Sequence, residues 1–339
     1  MKRLGLLVSV ALLLCLLPLA YTQAADVTGK FTVPAAAPSV TALQIYEDLE
    51  CTQVAEAMDP QMEYYARATV ELISKLKHLK EVKVYIYYDA TGNDGEPGSP
   101  NPQTCAILTW TAGPPDSWSI DAGGSTTWSI VSDNCRRPVN LDVTSGDWVF
   151  AFIPGKVATE TDDPADWDGK GTATNKNNKT GAPAYVRDKA MNFYGEVIIA
   201  SGLIVDWGEV DPGLMFTDDP PNPKTNIEVT YIANGEYNAT IRGKDWDGEV
   251  NGTDAAVLDE DEQEPPTGAN EFALKANDED VLDSAVWVKK SENNNIRTDN
   301  QTVEDGTTVP TNTLWLSLSE EFEPDVYSGA IYYGIANGD

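Results

Sequence analysis

The sequence predicts an all-β protein, with two tandem β-sandwich domains after a cleaved signal peptide. Three observations carry this expectation. Short apolar runs alternate with polar residues at a period of two, the period of a half-buried strand. Clusters of Gly, Pro, Asn, Asp and Ser punctuate these runs at short intervals. No long amphipathic helical pattern lies between them. The alternation covers both halves of a 339-residue chain, long enough for two cores of ordinary size.

In chain order, Lys2 and Arg3 open a positive start and residues 4–19 form an apolar stretch. Thr22, Gln23 and Ala24 then supply a small-residue cleavage site. Residues 1–24 read as a signal peptide, cut after Ala24 or Ala25. A pilin-type leader cut near Gly5 is the rival reading, and Pro18 argues against it by breaking the short helix that would remain. Residues 25–39 form an extended N-terminal arm or linker. In it Val27, Phe31 and Val33 share one face of a strand, and Pro34 and Pro38 interrupt.

Residues 40–200 are expected to form the first sandwich, with strands at 40–47, 62–72, 80–89, 105–110, 118–120, 127–131 and 148–153. The stretch 80–89 is the clearest: Val82, Val84, Ile86 and Tyr88 point one way, and Lys83, Tyr85 and Tyr87 the other. Residues 73–79 make at most one helical turn. Residues 201–339 are expected to form a second, jelly-roll-like sandwich, with strands at 226–233, 237–242, 285–289, 313–318 and 327–335. Between the halves lies a joint at 194–213. There 193–199 finishes the first sandwich, 205–210 begins the second, and the short break at 200–203 implies a stiff relation.

The order APSVTALQIYED, MDPQMEYYARATVEL, LKEVKVYIYYD, GDWVFAFIPGKVA and DWDGKGTATNK resembles immunoglobulin-like modules of the PKD or cadherin-like kind. Such modules recur in secreted archaeal and bacterial surface proteins. The resemblance covers about residues 34–190. It implies an immunoglobulin-like first domain that serves as a spacer, adhesive unit or assembly unit.

Charge narrows the partners. The chain has 23 Lys+Arg against 54 Asp+Glu, a net charge of -31. Nucleic acid and anionic lipid both require a basic footprint, so neither is an expected partner. No stretch after the signal is long and apolar enough to span a bilayer. The expected location is extracellular or at the cell surface.

Three features suggest sites. The tetrad Asp-Trp-Asp-Gly occurs at 166–169 and again at 245–248, and Asp206-Trp207-Gly208 echoes it. Carboxylates two apart before a Gly can turn toward one hard cation, so Asp245, Asp247, Glu249 and Asp254 form a candidate calcium loop. Asp166 and Asp168 form a poorer one. The competing reading packs each Trp inward and leaves the acids solvated in a turn. Sequons mark Asn178, Asn238, Asn251 and Asn300 as candidate glycosylation sites, with Asn251 claimed by both chemistries. Removing the signal leaves Cys51, Cys105 and Cys135. Cys105 and Cys135 bracket a compact segment and are expected to form a disulfide contributing about 3–4 kcal/mol. Cys51 is then free, bridged to another chain, or a buried thiol.

Catalysis has little support in the sequence. His78 is the one histidine, in a Lys-rich turn, and no nucleophile elbow, zinc-protease helix or phosphate loop occurs. Trp110, Trp118 and Trp128 are candidate sugar platforms, with core packing as the commoner fate of Trp. The expected function is therefore a non-enzymatic, secreted structural or adhesive protein, a subunit of a surface layer or extracellular filament. In it the arm would add a strand to a neighbour's sheet edge. The alternatives are a carbohydrate-binding module and an extracellular glycosidase.

Overall fold

Strands form over most of the stretches where the period-two alternation runs, with 205–210 an exception. The computed structural model describes residues 36–91, 95–161, 166–218, 224–250 and 255–338. Residues 1–35, Asn251 and Asp254 fall outside that set, so the signal, most of the arm and one member each of the sequon and calcium sets lie outside the described residues.

The first half contains β1 (Ser39–Tyr46), β2 (Ala57–Met58), β3 (Tyr64–Glu71), β4 (Leu79–Tyr88), β5 (Cys105–Thr111), β6 (Ser117–Asp121), β7 (Ser129–Ile130), β8 (Ser145–Ile153), β9 (Trp167–Asn175) and β10 (Ala184–Met191). The second contains β11 (Gly195–Ile198), β12 (Lys224–Ala233), β13 (Tyr237–Arg242), β14 (Asp247–Gly248), β15 (Val257–Leu258) and β16 (Glu271–Asn277). It continues with β17 (Val286–Trp287), β18 (Asn294–Asp299), β19 (Thr307–Leu318), β20 (Tyr327–Ser328) and β21 (Tyr332–Asn337). Helix among the described residues is confined to single 3-10 turns, one of them Leu76–His78 within the turn expected at 73–79.

A four-stranded sheet, β1-β3-β8-β7, packs on a six-stranded one, β2-β10-β9-β4-β5-β6. Their facing side chains build one core. Val82, Val84 and Ile86 from β4 meet Phe150 and Phe152 from β8, and Trp110 lies 5.4 Å from Trp148 across the gap. Trp110 and Trp128 are buried in this core and Trp118 packs edge-on against Phe150, so these rings are core rather than sugar platforms. Tyr87 is buried as well, its hydroxyl donating to the Gly95 carbonyl, although it sits on the opposite face of β4.

The Gly-rich run at 167–175 lies in none of the strands enumerated from the sequence. In the structure it is β9, a central strand between β10 and β4. Its glycines bring β1 in close. A Cβ on Gly169 would sit 2.6 Å from Val186 Cγ1 and 3.2 Å from Leu43, and one on Gly171 would sit 3.0 Å from Val40. Here the glycines mark close approach of two sheets, not a chain reversal.

The second core lies between β11-β12-β19-β16-β15 and β18-β13-β21, with Tyr231 of β12 and Tyr237 of β13 stacked 5.7 Å apart. β11 pairs with β12 along its whole length. The stretch expected to finish the first sandwich therefore belongs to the second set of sheets, and the seam moves back to residues 192–194. Backbone pairing decided this, because Val197 has the same alternation in either sheet.

The expected Cys105–Cys135 disulfide is corrected: both are free thiols, as is Cys51. Ala106, Leu108 and Trp110 face the first core, so Cys105 lies on the outer face of β5. Cys135 packs with Cys51, Tyr65, Val149 and Ala151 on the outer face of the other sheet. Two sheets about 10 Å apart separate the two sulfurs, too far for a bridge that needs Cα atoms within about 7 Å. Burial pushes both thiols up to about 11.

Side-chain hydrogen bonds cross the seam densely. Asn234 is fully buried; its Nδ2 donates to the carbonyls of Ala158 (2.8 Å) and Asn192 (2.9 Å), and its Oδ1 accepts from the Tyr194 N–H (2.6 Å). Glu304 accepts the N–H groups of Thr126 and Thr127 and the hydroxyls of Ser125 and Thr127. Burial opposes its ionisation, but these bonds outweigh burial and hold its carboxyl below the usual range. Gln103 reaches the Thr302 carbonyl and Gln301 the Val157 carbonyl.

Candidate functional site

One side of the second core is roofed by a strap rather than a strand. Past Gly202, whose φ of +75° favours glycine, residues 203–212 run across the sheet edge. Val205, Trp207 and Val210 point down onto the core, while Ile204 is 83% exposed. The strap forms one wall of a groove of about 440 Å³, floored by Ala256, Phe272, Leu316 and Leu318. The opposite wall runs from Phe322 to Tyr327, the first residue of β20. A cavity of this size falls in the range that takes small ligands or several side chains.

Trp246 organises the groove. Its N–H and carbonyl both pair with Ala256 at 2.9 Å, so the ring is aimed from a backbone bridge. It packs 4.7 Å from Phe272 and 5.6 Å from Trp207. Its edge lies on Gly329, where a Cβ would sit 1.8 Å from Trp246 Cδ1, so no other residue fits there. Among the described residues, the indole N–H groups of Trp207 and Trp246 are buried without a hydrogen-bond partner, as are those of Trp110 and Trp148 in the first core. An unmade bond at a buried donor costs about 1–3 kcal/mol.

Acids rim this apolar floor: Asp206, Glu209, Glu323 and Asp325 all line it. Asp206 Oδ1 accepts the Gly208 N–H at 2.8 Å and so shapes the turn that presents Trp207. Asp325 Oδ1 accepts the N–H of Val250 (2.9 Å) and of Val326 (2.7 Å). Both valines are exposed, at 69% and 55%, and extend the apolar surface past the rim. Asn270 anchors the far side through the Tyr327 hydroxyl at 3.1 Å and the Glu323 N–H at 3.2 Å.

The calcium candidates scatter around this site. Asp245 holds the Lys290 ammonium at 3.0 Å and accepts the Leu258 N–H at 2.9 Å. Asp247 is exposed on β14 opposite Ser328. Glu249 is exposed, and its N–H bonds the Val326 carbonyl. Among the described residues no three acidic, His or Cys side chains converge on one point. In the other tetrad, Asp168 is buried and ion-paired with Arg187. Burial pushes its carboxyl up, with Arg187 and the Asp188 N–H in opposition.

Of the sequons, Asn178 and Asn300 are exposed. Asn178 Oδ1 accepts from Lys80 at 2.8 Å. Asn238 lies half-buried mid-sheet on β13, its Oδ1 taking the Thr298 hydroxyl and its Nδ2 reaching the Asn337 carbonyl. His78 ends the 3-10 turn at the surface, apart from the groove.

The sequence reading singled out Trp207 and Trp246 only as parts of Asp-Trp motifs, and missed the groove itself. The signal present in the sequence was the recurrence of that motif at 206–208 and 245–248, whose two Trp rings meet in space. No family model matches the chain, and no curated protein matches it.

Proposed function

We propose that this chain is an exported structural or adhesive protein of the cell surface, a subunit of a layer or an extracellular filament. The observation that carries the reading is the seam. Asn234 and Glu304 tie two separate cores into a unit with little freedom to hinge. A load-transmitting subunit needs such a relation between its halves, whereas an enzyme that closes on substrate needs a looser one. The strong negative charge supports it by keeping an exported surface solvated. Electron microscopy of native cell-surface material, with the protein identified by mass, tests the reading. Filaments or sheets containing the chain are expected; a monodisperse monomer throughout overturns it.

A second reading, carbohydrate binding, is favoured by the groove alone. Rim carboxylates can accept from sugar hydroxyls above an aromatic floor. Glycan-array binding that Trp246→Ala abolishes would support it. Against it, the Trp246 ring is already occupied by Phe272 and Trp207, which leaves less of its surface for stacking.

A further inference from the structure

The strap over the second core covers apolar surface without joining a sheet. Among the described residues, the main chain between 204 and 212 makes no hydrogen bond to another main-chain group, and its one bond is that of the Gly208 N–H to Asp206. A strip held by side chains alone opens more readily than one held in a ladder. The floor beneath it, Phe272, Leu316 and Leu318, belongs to paired strands and stays in place.

We propose that the N-terminal arm of a second copy of this chain, residues 27–33, enters this groove as an extended segment and displaces the strap. The inference rests on the assembly reading above. The arm has the right chemistry: Val27, Phe31 and Val33 fall on one face of an extended chain, and Thr28, Lys30 and Thr32 on the other. The apolar face matches the aromatic floor. Charge matches as well. In a chain of net charge -31, residues 25–39 carry one acid, Asp26, and one base, Lys30, and they approach a rim of four carboxylates.

The donor segment leads into one core and the acceptor groove belongs to the other. A cut after Ala24 leaves eleven residues (25–35) ahead of Ala36, a reach of about 36 Å when extended. Ala36 packs on the first core, whereas the groove belongs to the second. Donor and acceptor surfaces therefore differ, and a contact of that kind repeats without closing unless a rotation happens to close it.

A photoreactive benzoylphenylalanine at position 31 of the secreted chain tests this. Isotopically light and heavy protein are mixed, irradiated, and mapped by mass spectrometry. Cross-links between light and heavy copies, from position 31 to residues 205–212 or 316–327, are expected. Phe31→Asp should reduce assembly at least tenfold by light scattering, with an unchanged near-ultraviolet dichroism spectrum, and Phe31→Leu should preserve it. Cross-links between copies at another face overturn the groove while leaving assembly intact. Cross-links confined to single chains overturn the exchange, because the arm then seats on its own copy. A monomer with no cross-link between copies overturns both the groove and the assembly reading. Oligosaccharide that fills the groove without reducing assembly assigns it to carbohydrate and also overturns the proposal.

Discussion

The same four residues, Asp-Trp-Asp-Gly, meet two fates in this molecule. At 166–169 they lie in or just before a central strand. Trp167 is fully buried, its N–H donates to the Thr159 carbonyl at 2.7 Å, and Asp168 is paired with Arg187. At 245–248 they sit on a two-stranded ribbon. Trp246 is half-buried with its N–H unpartnered, Asp245 holds Lys290 near the surface, and Asp247 faces water. In the first copy the indole N–H and the buried third-position carboxylate are both paired, and the motif builds a core. The second leaves bonding capacity unused beside a groove. The difference teaches that a short motif's chemistry comes from the sheet position it occupies.

The largest expected effect tests the two indoles. Trp167→Ala should cost about 3–5 kcal/mol in denaturant unfolding, as for other buried aromatic truncations. Trp246→Ala should cost less, about 1–3 kcal/mol, because its ring is partly exposed. Equal costs would break the comparison.

The third tetrad residue comes next. Asp168→Ala removes the carboxylate partner of the half-buried Arg187 and should cost about 3 kcal/mol. Asp247→Ala should stay within about 0.5 kcal/mol, as for an exposed position. Urea midpoints of the two variants decide the matter.

A pH measurement sharpens the contrast at the first tetrad residue. Burial pushes the Asp166 carboxyl up, and the nearby carboxylates Asp89 and Asp188 push it further. A carboxyl raised on folding binds protons more tightly in the folded state. Its contribution therefore favours the fold at low pH and weakens as pH rises from the unfolded value through the folded one. Asp166→Asn should raise stability at pH 7 and leave it unchanged near pH 3. Asp245→Asn, which loosens the exposed Lys290 pair, should lower stability by about 0–1 kcal/mol at pH 7. A gain from Asp245→Asn that matches the first would contradict the assignment.

Calcium is the smallest expected effect. Lys290 already occupies the Asp245 carboxylate, so excess chelator should move the melting temperature by less than about 1 °C. A drop of several degrees would restore Asp245, Asp247, Glu249 and Asp254 as a calcium loop.

Much of the fold was legible in the sequence, and the reasons differ by element. β4 could be read because Val82, Val84 and Ile86 alternate against Lys83 and Tyr85 without interruption. β9 could not, because Gly169 and Gly171 carry no side chain for a period to act on, and their role depends on Val40 and Leu43 of a distant strand. β16 and β18 were missed for related reasons. EFALKAN alternates Phe272, Leu274 and Ala276 against Glu271, Lys275 and Asn277 but is short and bounded by polar residues, and NNIRTD buries only Ile296. The groove was the least legible feature, since its residues come from separate segments spread over more than a hundred residues of chain.

By itself the sequence determined the class of the molecule. Period-two patterning, turn residues and acidity are local or summed properties, and they yield an all-β, strongly negative protein whatever the strand order. Tertiary structure alone decided three things: that β11 belongs to the second core, that Cys105 and Cys135 face outward from opposite sheets, and that Trp207 meets Trp246 beneath a strap. Each depends on which backbone pairs with which across long separations. Side-chain period is identical for every partner a strand can choose, so only the assembled packing distinguishes them.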